Sequence, residues 1–242
     1  HGAHLRLGRV CAMQRRTVLL AGSALLTTVL AGCTDSKAPT RDPQEVLRAA
    51  REKLVAAGTV AVTLTGPEIP AGRNGVVDAT GDGQFSSTEP KISGTVNRRV
   101  NDVSPHLEIV AVGEKAWWKF FTPDFTPADL AAAGAPNPST FFDPESGIPA
   151  LLTQAKDVKA GRQAREGKDI LTEYTGTIPG SLVKDLLFLG DGAADFAATL
   201  GITAGDELRK AVLTGPFYEG TTGTYTLVLT DYGKPVTITA PQ

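Results

Sequence analysis

The stretch Lys91–Phe121, KISGTVNRRVNDVSPHLEIVAVGEKAWWKFF, decides how this chain is read. It holds three runs of strand character, Lys91–Val100, His106–Val112 and Ala116–Phe121, separated by short turns containing Asn, Pro and Gly. Leu107 and Ile109 flank Glu108, and Trp118 and Phe120 flank Lys119, so each run sends apolar side chains to one face and charged ones to the other. Connections this short leave no room for a crossover, which makes the three runs an antiparallel meander.

The same alternation continues upstream, where Val60, Val62 and Leu64 interleave with Ala61, Thr63 and Thr65, and shorter strand-like runs cover Asn74–Val77 and Gln84–Ser87. Ahead of them Asp42 and Pro43 read as N-cap and first helical residue. Val46, Leu47, Ala50, Leu54 and Ala57 recur at helical spacing until Gly58. Downstream, Thr122–Pro149 is rich in Pro, Ala, Asp and Gly, with a short helix expected over Pro127–Ala133 and another over Ile148–Ala155. Strands are expected at Asp157–Glu166, Ile170–Thr177, Leu208–Leu213, Gly223–Leu229 and Val236–Thr239, with a turn at Asp231–Gly233. Helices are expected at Ser181–Leu189 and Ala193–Leu200. Residues 43–242 therefore read as one α+β domain whose helices cover an antiparallel sheet.

The N-terminal region has a different character. Met13 is the only methionine, and residues 1–12 read as an upstream, non-native extension. Gln14, Arg15 and Arg16 then form a positive n-region and Thr17–Leu30 an apolar h-region, so residues 13–32 have the form of a signal peptide. The apolar run is short of the roughly 20 residues a membrane span needs. Leu30, Ala31, Gly32 and Cys33 match a bacterial lipobox, which makes Cys33 the lipidation site. Residues 33–42 become a polar tether, and two acyl chains, at about 0.8 kcal/mol per buried methylene, give a firm anchor. The expected location is the extracytoplasmic face of the cell membrane. With Cys11 ahead of the start and Cys33 acylated, no disulfide is expected.

Composition narrows the function. A hydrophobic fraction of 41% with 21% charged residues is that of a folded globular domain. A net charge of -2 supplies no basic excess for a phosphate backbone, so nucleic acid is not an expected partner. Three stretches, VAVGEKAWWKF (110–120), GAPNPSTFFDPESGIPALL (134–152) and TLVLTDYGKPVTITAP (226–241), together with the lipobox and a VVDATGDG turn (76–83), carry a family signature. In them the chain resembles the actinobacterial LppX/LprA/LprF/LprG lipoprotein family.

The resemblance implies a half-barrel similar to Lol-type lipoprotein carriers, a curved antiparallel sheet wrapping helices around an apolar cavity. It further implies that a multi-acylated lipid or glycolipid is bound there for transport or display in the envelope by a monomer, with a membrane exporter as a candidate partner and no cofactor. Alternation nominates Val62, Leu64, Val96, Leu107, Ile109, Trp118 and Phe120 as cavity wall, and Leu151, Leu152, Leu182, Leu186 and Leu187 as a helical lid. Each of these fits a packed core equally well. Arg98 and Arg99, within NRRVN (97–101), interrupt the apolar pattern; they read as solvent-facing, with anionic head groups as the alternative.

Other chemistries have little to build on. The only His beyond the signal region is His106, no Gly-x-Ser-x-Gly elbow is present, and a zinc ligand set is lacking, so catalysis is not expected. A lipid hydrolase would need His106 beside a Ser nucleophile inside the cavity. Asp78–Glu89 (DATGDGQFSSTE) approaches an EF-hand loop, with Asp78, Thr80, Asp82 and Glu89 at positions one, three, five and twelve. Its flanks read as strands rather than helices, which favours a Gly-rich turn and no metal. The remaining alternative from a different class is a receptor-like ectodomain with a solid core that recruits a protein partner.

Overall fold

A computed structural model describes residues 41–100 and 103–242. Cys33, the lipobox, the signal segment, the tether up to residue 40 and Asn101 lie outside the described residues. Among those described, no helix is long and apolar enough to cross a membrane.

The first element is helix α1, Pro43–Ala57. Asp42 caps it, its carboxylate accepting from the Gln44 and Glu45 N–H groups at 2.8 and 3.3 Å, and Gly58 ends it at φ 73°. Strands β1 Thr59–Thr65, β2 Gly75–Gln84, β3 Lys91–Arg99, β4 His106–Val112, β5 Lys115–Lys119 and β6 Thr126–Pro127 follow. A 3₁₀ turn (Pro138–Phe142) and the short helix α2 (Ala150–Thr153) lead into β7 Lys156–Glu166 and β8 Asp169–Pro179. Helix α3, Gly180–Leu187, precedes β9 Asp195–Thr203, β10 Leu208–Tyr218 and β11 Thr221–Thr230.

All eleven strands join one antiparallel sheet in the order β6-β5-β4-β3-β2-β1-β11-β10-β9-β8-β7. Two meanders are thus zipped together by β1 against β11, with Val62 opposite Leu229 and Leu64 opposite Leu227. β6 and β7 remain as the two edges, so the sheet is curved but unclosed. Register carries the in–out alternation across strands: Val96 lies opposite Ala79 and Leu107, Ile109 opposite Trp118. On the other face Glu108 and Lys119 are also opposite one another, and their side chains pair at 2.7 Å. The inner face receives the helices. Val46, Leu47, Ala50 and Leu54 of α1, and Leu182, Val183 and Leu186 of α3, are buried in the same core as Phe196, Leu200, Leu213 and Leu229.

Several elements differ from the sequence reading. Asp78–Gly83 is neither a turn nor a calcium loop but the body of β2. At about 3.3 Å per residue an extended chain holds Asp78 and Asp82 roughly 13 Å apart. Asp78 instead accepts a 2.6 Å hydrogen bond from Asn97, Glu89 pairs with Lys91, and Thr80 meets the Thr95 hydroxyl. The hairpin turn comes later, where the Ser86 hydroxyl accepts from the Thr88 and Glu89 N–H groups. The glycines have another use: a Cβ on Gly83 would stand 1.9 Å from the Phe142 ring. Gly83→Ala is expected to destabilise by about 1–3 kcal/mol through overpacking, read from the urea midpoint.

Ala193–Leu200, expected as helix, is a turn at residues 193–194 followed by the start of strand β9, because Phe196, Ala198, Leu200 and Ile202 are buried at alternate positions. Its alanines suit a helix, but pairing with β8 and β10 on both sides overrides that preference. Pro127–Ala133 contains the end of β6 and a hydrogen-bonded turn, Ala133 N–H to Asp129 C=O, rather than a helix. Val236–Thr239 forms no strand: both neighbours of the adjoining β11 are already taken by β1 and β10.

Candidate functional site

Between the concave face and its helical cover lies a cavity of about 370 Å³, within the range of small-molecule sites. Val62 and Leu64 from β1, Val96 from β3, Leu107 and Ile109 from β4, and Trp118 from β5 line it. Leu151 of α2 and Leu186 and Leu187 of α3 face it from the cover.

One expected wall residue, Phe120, and two expected lid residues, Leu152 and Leu182, sit elsewhere. Phe120 lies one residue past the end of β5, and the chain turns at Phe121 (φ 56°), so Phe120 lines a separate surface depression with Val100, Val103 and Pro105. Leu152 is packed in the core, since neighbours on a helix point about 100° apart and Leu151 takes the cavity-facing position. Leu182 is in the first turn of α3, which packs against β8 and β9.

The wall also contains residues not nominated from sequence. Ala79, Ile92, Leu213, Tyr225 and Leu227 are among those added on the sheet side, beside the polar Thr80 and Thr95, and Phe141, Phe142 and Ile148 descend from the 138–149 segment. Parity alone would have found Ile92 and Leu227, each in step with a neighbour that faces inward. The 138–149 residues have no period to read. Tyr225 keeps its hydroxyl satisfied by donating to the Val76 carbonyl at 3.1 Å. Burial holds that phenol far above its ordinary range, so it remains a neutral donor.

The covering segment is fastened at both ends. Asn137 and Ser139 donate to the Gly113 carbonyl in the β4–β5 turn, at 2.9 and 2.6 Å. At the far end the Arg51 guanidinium of α1 donates to the Pro144 carbonyl at 3.1 Å and pairs with Glu145. Between them the Asp143 carboxylate accepts from the Glu145 and Ser146 N–H groups and the Ser146 hydroxyl, at 2.8–2.9 Å. Burial works to raise its pKa, but the hydrogen bonds from Ser146 and Glu145 together outweigh it and hold the carboxyl below its ordinary value. A depressed carboxylate contributes stability above its ordinary pKa that is lost as pH falls through the folded value. Acidification from about pH 5 to 3 should therefore lower the melting temperature more in the wild type than in Asp143→Asn.

Among the described residues Arg98 is the one charged member of the cavity wall, and its Nη2 donates to the Ala133 carbonyl at 3.3 Å. Arg99, on the other side of β3, donates to the Ile69 carbonyl at 2.9 Å. Neither is the simple solvent-facing residue the sequence suggested. His106 stands at the exposed start of β4, its Nδ1 2.8 Å from Asn97 Oδ1, and does not line the cavity. Among the described residues no group of three or more His, Cys, Asp or Glu side chains is placed to hold a metal ion.

The family model described as the LppX_LprAFG lipoprotein matches residues 42–238, the whole of the sheet and its helices. The chain belongs to the LppX_LprAFG lipoprotein family. Among solved structures this LppX_LprAFG lipoprotein is similar to LprF from Mycobacterium bovis, with a TM-score of 0.70 at 17% identity over 84% of this chain and 98% of that one. It is also similar to lipoprotein LppX from Mycobacterium tuberculosis, with a TM-score of 0.58 at 19% identity over 81% and 98%. At these identities the likeness is one of fold. None of the curated proteins matches the sequence significantly. The unclosed half-barrel expected of an LppX_LprAFG lipoprotein is thus the architecture found.

Proposed function

We propose that this protein shelters the acyl chains of a multi-acylated envelope lipid or glycolipid in its cavity, for transport or display, and performs no covalent chemistry. The observation that carries this reading is the wall itself: mostly aliphatic and aromatic side chains from two meanders and two helices, with Asn74, Thr80 and Thr95 as its polar members and, among the described residues, a single charged one. Such a lining gives an acyl chain apolar contact without stripping water from many polar groups. Acylation of Cys33 would hold the domain at the extracytoplasmic face of the cell membrane, where it would act as a monomer and exchange lipid with an exporter. The hydrolase reading lacks its premise, since His106 lies outside the cavity.

Delipidated protein is expected to take up an acyl-chain fluorophore with a blue-shifted emission, and envelope lipid extract should compete it out. Emission unchanged from that in buffer would reject the reading.

A further inference from the structure

β3 alternates Ile92, Gly94, Val96 and Arg98 on its inner face, and the last of these places a guanidinium where the strand's own pattern calls for an apolar group. Arg98 stands where the cavity adjoins the surface depression, and it lines both. Its neighbours in the shared wall are Leu107 and Trp118. Of five N–H donors, one hydrogen bond goes to the Ala133 carbonyl, and among the described residues no carboxylate pairs with it. Among the described residues the other half-buried arginines have firmer support: Arg209 has Asp169 and Glu207, Arg51 has Glu145, and Arg99 has the Ile69 carbonyl among its contacts.

Withdrawing a cation from water without a counter-charge is costly, and burial pushes the Arg98 guanidinium below its usual pKa, with no anion among the described residues raising it. A protein that accepts this cost at the surface end of an apolar cavity has a fork suited to two oxygens of a phosphate or carboxylate. We propose that Arg98 receives the anionic group of the bound lipid, so that the ligand is an anionic amphiphile with its head near the Val103 and Phe120 depression and its chains inside. This rests on the cavity's being the lipid site.

The test measures binding of four probes to the full chain: dioleoylphosphatidylglycerol against dioleoylglycerol, and oleate against methyl oleate. The first pair reads a phosphate and the second a carboxylate, at matched chains. Wild-type protein is expected to prefer at least one anionic probe over its neutral partner by about tenfold, the scale of a charge-assisted hydrogen bond. Arg98→Gln should bring that ratio close to one. Arg98→Lys should keep part of it, and Arg162→Gln, which removes an exposed arginine of β7, should leave it intact. Equal binding of charged and neutral probes by the wild type overturns the proposal without need of any variant, as does a preference that survives Arg98→Gln. Wild-type protein that binds none of the four fails the cavity reading itself.

Discussion

Protein carrying Val96→Trp is expected to fold with close to wild-type stability and to lose between ten- and a hundredfold of its affinity for acyl ligands. Val96 is half-buried on β3, opposite Ala79 and Leu107, and its side chain faces the cavity. An indole there enters existing space. If it displaces about three methylenes of a bound chain, at about 0.8 kcal/mol each, the loss is about 2.4 kcal/mol. The same substitution in a solid core would force neighbours apart and cost about 1–3 kcal/mol of stability. Paired urea unfolding and ligand titration therefore separate a hollow domain from a packed one: affinity falls in the first case, stability in the second.

The opposite substitution, Phe142→Ala, is expected to cost about 3–5 kcal/mol of unfolding free energy, the largest effect of any single change proposed. Phe142 is fully buried, packs edge-on against Phe85 with ring centroids 5.3 Å apart, and lies over Gly83. It also forms part of the cavity wall, so its removal enlarges the cavity as it weakens the fold. An unfolding free energy within 1 kcal/mol of wild type would show that the 138–149 segment is not anchored through this ring.

Much of this architecture was legible because β-strands advertise their faces. Val60, Val62 and Leu64, then Leu107 and Ile109, then Trp118, name the concave side in sequence order, and the register places them on one wall. Helix α1 was legible from its two caps. Ala193–Leu200 was misread because an alanine-rich run satisfies local helix preference, while the pairing with β8 and β10 that makes it a strand leaves no mark on its own residues. The VVDATGDG segment was misread for a related reason. Its glycines resemble turn residues, yet they serve close packing inside a strand, where a Cβ on Gly81 would meet the Ser93 carbonyl at 2.6 Å.

The wall residues that escaped notice come mostly from irregular chain. Phe141, Phe142 and Ile148 are positioned by Asn137, Ser139, Asp143 and Arg51, whose hydrogen bonds leave no periodic trace. Arg98 was visible as an interruption but not as a wall residue. Reading its parity from Val96, two residues earlier on the same face, would have placed it inward.

The central claim is that the cavity holds lipid, and the most direct measurement is mass spectrometry of organic extracts from protein purified under mild conditions from an actinobacterial host. A multi-acyl lipid at one equivalent per chain, absent from the Val96→Trp variant, is the result expected. Wild-type protein of normal stability that yields no lipid, and takes up none from added envelope extract, would contradict it.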